Sequence, residues 1–141
     1  MSKPTEVRLD NVFRIVAAVI TSEDGEYLLV RKRGTQAFMN CGGKIEPGES
    51  PEEALRREIH EEVGMDVGQR VLTPLGRHTA PAANEPGWSI DCDLFAVLLE
   101  DKSLATARAE IEELRWVRPD DALAALRLAP LAARVLRGEL T

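Results

Sequence analysis

The stretch from Gly43 to Met65, GKIEPGESPEEALRREIHEEVGM, constrains this chain more than any other. It reads as a turn, a helix and a stop. Pro47 presets φ for a turn at Glu46-Pro47-Gly48, and Gly48 tolerates positive φ. Ser50 then stands as an N-cap, with Pro51 at the first helical position and Glu53 completing a Ser-x-x-Glu capping box. Gly64 supplies the stop. The spacing predicts a helix of roughly 13 residues, about 20 Å long at a rise of about 1.5 Å per residue.

At about 100° per residue, Leu55, Ile59 and Val63 share one stripe, which should pack on a core. Glu58, Glu61 and Glu62 fall on the adjoining arc. Like charges at i, i+3 and i+4 repel, and Glu61 and Glu62 also lie in the last turn, where the helix dipole disfavours anions. Arg56 and Arg57 precede these acids, and no Lys or Arg follows them before Gly64. A solvated acidic face would produce this charge pattern. So would a site for a divalent cation, which removes both costs: hard ions such as Mg²⁺ take carboxylate oxygens and keep positions for a phosphate.

The stretch resembles the Nudix box, G-x5-E-x7-R-E-U-x-E-E-x-G-U, where U is a bulky aliphatic residue. Gly43, Glu49, Arg57, Glu58, Ile59, Glu61, Glu62, Gly64 and Met65 occupy its nine fixed positions. The chain departs from the family's frequent Pro-Gly-Gly entry by having Cys41-Gly42-Gly43, which removes no ligand. The resemblance implies an α/β fold, an α/β/α sandwich with a mixed central sheet. It also implies that Glu58, Glu61 and Glu62, with the Gly43 carbonyl, hold Mg²⁺ or Mn²⁺, while Glu49 and Arg57 pair in support. The activity implied is metal-dependent pyrophosphohydrolysis of a nucleoside diphosphate linked to another moiety. By the same resemblance Glu61 and Glu62 are expected to be the catalytic acids of the box.

The remaining chain adds candidates. Residues 13–21 read as a buried strand and residues 26–33 as its hairpin partner, with a turn at residues 22–25. Arg31 and Arg33 share a face by strand alternation and are phosphate-contact candidates; Lys32 should point away. Residues 34–42 read as a loop, in which Phe38 is either a wall of a base pocket or a core anchor. Residues 67–79 read as one or two strands with a break near Pro74, and His78 there needs no function. Residues 80–87 are a Pro- and Ala-rich loop in which Asn84 and Glu85 are candidates to touch a nucleoside. Residues 88–99 alternate and then turn wholly apolar, the clearest later strand; Trp88 at its start is a stacking candidate or a lid.

Residues 109–117 hold three acids and a strand. MutT-like members of the family carry a Glu six residues before a strand Trp, and Glu110 stands so before Trp116. Metal-assisted hydrolysis needs a carboxylate to activate water or complete the ion's shell, so Glu110 is the third catalytic candidate, with Glu112 and Glu113 as alternatives. Residues 119–128 and 131–137 have helical spacing and are split around Pro130.

Composition bounds the partners. A net charge of −6 argues against a long nucleic acid, whose binding rests on Lys and Arg, but not against a small nucleotide held through a metal. With 141 residues, no repeat and no linker tract, the chain reads as a single domain, residues 1–10 being a polar, loose tail. Two cysteines, Cys41 and Cys92, make no disulfide framework and suit free thiols in a reducing compartment. The apolar runs are too short to span a membrane and no basic-then-apolar leader is present, so a cytoplasmic monomer or homodimer is expected. Three substrate readings follow. A nucleoside or deoxynucleoside triphosphate comes first. ADP-ribose is its rival, because some ADP-ribose hydrolases of the family carry a Pro where Pro81 stands. A non-catalytic nucleotide-sensing module is the reading from another class.

Overall fold

The computed structural model describes residues 11–68 and 70–140. The expected tail at residues 1–10 lies outside them. Six strands form one mixed sheet: β1 (Val12–Ser22), β2 (Tyr27–Lys32), β3 (Cys41–Lys44), β4 (Thr73–Pro81), β5 (Ser89–Leu99) and β6 (Ile111–Val117). Three helices flank it: α1 (Pro51–Val63), α2 (Pro119–Ala125) and α3 (Pro130–Leu136). The α/β/α sandwich expected from the sequence is the architecture observed.

β1 is apolar on both faces because both faces are covered. Val16, Ala18 and Ile20 pack with Leu55, Ile59 and Val63 of α1. Ala17 and Val19 pack with Leu131 and Val135 of α3. A third cluster joins Leu29, Phe38 and Val117 to Ala122 of α2 and to Ala132 and Leu136 of α3. α1 is capped by Ser50, whose side chain accepts the Glu53 N–H while the Glu53 carboxylate accepts the Ser50 N–H, and it is closed by Gly64 with φ 72°. Capping box, Pro51 and αL stop are all as the sequence prescribes. Leu55, Ile59 and Val63 are fully buried, each contributing about 1.5–3 kcal/mol by transfer.

The strand order is β4-β5-β1-β2-β6, with β3 also paired to β1. β5 runs parallel to β1 along its whole length, from Val12↔Ser89 to Ser22↔Leu99. On the other side of β1 two strands share the edge. β2 pairs with it at Thr21↔Tyr27 and then turns away to join β6. β3 takes the space so opened, pairing from Ile15↔Lys44 to Ala18↔Cys41. The splay between β1 and β2 is what makes room for a site.

Three expectations are corrected here. Residues 41–44 are a strand, not the end of a loop; Gly42 and Gly43 have no side chains, so no alternation betrays it. The residue 67–79 region yields one strand starting at Thr73, with its irregularity between Pro74 and Arg77. The first C-terminal helix stops at Ala125, three residues short of the expected end.

Candidate active site

Gly43 and α1 are built for each other. A Cβ on Gly43 would lie 2.5 Å from the Glu58 carboxyl carbon. Only glycine leaves the space in which that carboxylate rests. Gly42 answers to the opposite neighbour, since a Cβ there would lie 2.1 Å from the Val16 carbonyl oxygen. The pair therefore lets β3 close against β1 and against the acidic arc of α1.

Glu62 is 2% exposed, and its Oε1 accepts the Gly42 N–H at 3.2 Å. Its Oε2 has no hydrogen-bond partner among the described residues. Burial pushes the Glu62 carboxyl up to about 7; the Cys41 thiol lowers it, the Glu58 charge raises it further and the Gly42 N–H opposes that. Burial also raises Glu58, against the pull of Arg57 and with the push of Glu61 and Glu110. Two desolvated carboxylates, one with an orphaned oxygen, fit a hard cation, which would stabilise both ionised forms. Among the described residues, no three His, Cys, Asp or Glu side chains converge into a ready-made cage. Glu61 is half exposed, and Arg57 Nη1 reaches its Oε2 at 3.5 Å.

Arg57 ties the box together as the sequence suggests. It donates to Glu49 twice, at 2.7 and 2.9 Å, to Glu58 at 2.8 Å and to the Lys44 carbonyl at 3.1 Å. The Arg57 guanidinium, with the Glu46 N–H, holds the Glu49 carboxyl down at about 2. The same pairs keep Arg57 charged.

Glu110 comes to the same place from the far side of the sheet. Ala109 before it has φ 53°, a left-handed conformation that costs an alanine about 1–3 kcal/mol. Arg33 N–H donates to the Glu110 carbonyl at 2.8 Å, which fixes this turn to the end of β2. The Glu110 side chain lies 3.6 Å from Lys32 Nζ and raises Glu58 by its charge. Glu113 is engaged elsewhere, paired with Arg31 at 3.4 Å and with Arg115. Glu112 is exposed. Of the three acids, Glu110 is the one placed with the box.

Glu58 and Glu110 open onto one end of a cleft of about 440 Å³, which Glu61 and Glu62 do not line. Lys32, Lys44, Gly43, Glu58 and Glu110 line it, together with Phe13, Ile15 and Ile90 of the sheet and Leu131 of α3. Pro81 at the end of β4 and residues 82–85 after it form a further wall, which puts Asn84 and Glu85 at the cleft. The size suits a small ligand.

Arg31 and Lys32 are separated as expected, across a register shift in β2, but it is Lys32 that lies at the cleft. Arg31 lies on the other face, donating to the Thr35 carbonyl at 2.9 Å and facing Glu113 and the Phe38 ring. Arg33 is exposed and its Nη1 reaches the Ala109 carbonyl at 3.5 Å. Phe38 is 5% exposed in the cluster beneath α2 and α3, and lines no part of the cleft. Trp88 stacks on Phe13 with ring centroids 4.4 Å apart, so its partner is this chain's own aromatic. His78 Nε2 is 2.7 Å from the Leu75 carbonyl, which accounts for it. Lys44 and Asn40 also line the cleft and were not singled out from the sequence. Lys44 follows Gly43 directly, which could have flagged it; nothing local marks Asn40.

The NUDIX domain profile matches residues 12–138. The chain belongs to the Nudix family. It is 32% identical over 127 residues to Nudix hydrolase 19, chloroplastic, of Arabidopsis thaliana, covering 86% of this chain but spanning only 27% of that protein's length. It is 28% identical to nucleoside triphosphatase NudI of Escherichia fergusonii, covering 77% of this chain and 84% of that one. Among solved structures, the dihydroneopterin triphosphate pyrophosphohydrolase of E. coli superposes with a TM-score of 0.76 at 20% identity, covering 92% of this chain and 97% of that one. At that identity the likeness speaks for the Nudix fold.

Proposed function

We propose that this Nudix chain is a Mg²⁺- or Mn²⁺-dependent pyrophosphohydrolase acting on a nucleoside diphosphate linked to another moiety, with a nucleoside or deoxynucleoside triphosphate as the substrate. The observation that carries the reading is the meeting of Glu58 and Glu110 with Lys32 at one end of a cleft with apolar walls, with the buried Glu62 carboxyl behind Glu58 and coupled to it by charge.

Glu58, Glu61 and Glu62, with the Gly43 carbonyl, would hold the cation. Such an ion neutralises phosphoryl oxygens and makes water a competent nucleophile near neutral pH. Lys32 and Lys44 would bind polyphosphate oxygens that enter the cleft. Glu110 would accept the proton of the attacking water, with Lys32 Nζ 3.6 Å from its carboxylate. Arg57 positions Glu58 through the Glu49 pair, without touching substrate. The name of the NudI relative supports the triphosphate. ADP-ribose is the second reading, favoured by the position of Pro81 on the cleft wall.

The test is product analysis with Mg²⁺ against canonical and oxidised triphosphates, ADP-ribose, NADH and diadenosine polyphosphates, with Glu61→Gln as the blank. A nucleoside monophosphate and pyrophosphate, absent from the variant, are expected. AMP and ribose phosphate from ADP-ribose would shift the assignment to the second reading. Nucleotide binding with no cleavage of any compound would make the chain a sensing module.

A further inference from the structure

Asn40 sits between the Phe38–Met39 bridge residues and β3, and is 7% exposed. It lines the cleft. Neither its Oδ1 nor its Nδ2 has a hydrogen-bond partner among the described residues. Buried side-chain amides are rarely left so, because their desolvation is then uncompensated. Glu62, the other buried side chain with an orphaned atom among the described residues, belongs to the proposed cation site. Asn40 belongs to no such set.

The chemistry of its surroundings narrows what it awaits. Phe13, Ile15, Ile90 and Leu131 give the cleft apolar walls, and its charged residues are Lys32, Lys44, Glu58, Glu85 and Glu110. A carboxamide presents one donor and one acceptor side by side in a plane. A phosphate offers acceptors only, and so would leave Oδ1 unpaired. A nucleobase edge offers an adjacent donor and acceptor in one plane, and its faces suit apolar walls. We infer that Asn40 is the base-reading residue of this cleft, pairing edge to edge with the heterocycle of a nucleotide whose phosphates lie toward Lys32 and Glu58. This rests on the nucleotide reading of the proposed function and deepens it. The amide alone accepts any base presenting such an edge; it separates nucleotides from base-free phosphates.

Binding of the four ribonucleoside monophosphates and of ribose 5-phosphate to the full chain, followed by calorimetry, tests this directly. At least one monophosphate should bind more tightly than ribose 5-phosphate. Asn40→Leu, which keeps the branched shape and removes the amide, should weaken that monophosphate by roughly tenfold to a hundredfold, the discrimination typical of a paired base edge. Ribose 5-phosphate binding should stay unchanged and Tm unchanged or higher. On a hydrolysed nucleotide the same variant should raise KM and leave kcat within about twofold. If Asn40→Leu does not fold, Asn40→Asp takes its place; it replaces the donor by an acceptor and should weaken the same ligand selectively.

Equal affinity of the wild type for monophosphates and ribose 5-phosphate would overturn the inference. So would equal losses for both in the variant. Base-dependent binding that Asn40→Leu abolishes, without hydrolysis of any compound, would leave the inference standing and remove the pyrophosphohydrolase reading. Hydrolysis with undiminished nucleotide affinity in Asn40→Leu would do the reverse.

Discussion

The two faces of the sheet are covered by helices of unequal reach. α1 has thirteen residues, is capped at both ends and lays Leu55, Ile59 and Val63 along its face of β1. α3 has seven, starts at Pro130 and covers the middle of the other face with Leu131 and Val135. Ile15 and Ile90 pack only half-buried at the margin of that cluster, and with Phe13 and Leu131 they line the cleft. A long helix makes a closed core that can carry costly carboxylates on its margin; a short one leaves an apolar bay beside them. The acidic margin and the apolar bay thus come from helices on opposite sides, and the β3 glycines lie where they meet.

Changing the acids should have the largest effect, and on activity alone. Glu61→Gln and Glu62→Gln should each lower turnover by about 10²- to 10⁴-fold while the circular dichroism spectrum is retained. Loss of fold in both, with no effect on metal binding, would mean that the acidic margin serves packing. Next comes a contrast in stability between the faces. Leu55→Ala should cost about 3–5 kcal/mol because its site is closed, whereas Leu131→Ala, at the edge of the bay, should cost about 2 kcal/mol. Denaturant midpoints at constant slope measure both; equal losses would show the α3 face to be as tightly packed as the other.

A smaller effect separates Lys32 from Arg31. Lys32→Gln should lower kcat/KM by about tenfold, the scale of one lost charge-assisted contact, and Arg31→Gln by less than about twofold. The reverse order would place the phosphates on the wrong face of β2.

The smallest expected effect belongs to neither face. At the β1–β2 turn the Ser22 hydroxyl, and then Lys102, hold the Asp24 carboxyl down at about 2, against an ordinary value of 3.8. A depressed carboxyl stabilises the fold above its unfolded pKa, and the contribution disappears as pH falls through the folded one. The stability difference between wild type and Ser22→Ala should therefore be constant above about pH 5 and shrink from pH 4 toward 2. A difference that grows on acidification would show that Asp24 is not the group responsible.

Local rules account for how much of this was legible. The α1 cap, stripe and stop are set by residues within a few positions of one another, and the structure reproduces them from Ser50 to Gly64. The Arg57–Glu49 pair and the placement of Glu110 followed from the family resemblance, and the geometry agrees with both. Of the two readings of Phe38 the core anchor holds, since it packs in the cluster with α2 and α3, and Arg31 faces its ring rather than the cleft. β3 stayed hidden because a strand of Cys-Gly-Gly-Lys carries almost no pattern.

The sequence by itself determined the acidic helix, its ends and the apolar strands around it, since capping, helical period and alternation act within a few residues. The tertiary structure alone decided that β2 leaves β1, that β3 fills the gap, that Lys32 rather than its neighbours enters the cleft and that Asn40 is buried there without a partner. These depend on which strands share an edge and how far α3 reaches. Contacts between segments distant in the chain settle both, and no local spacing encodes them.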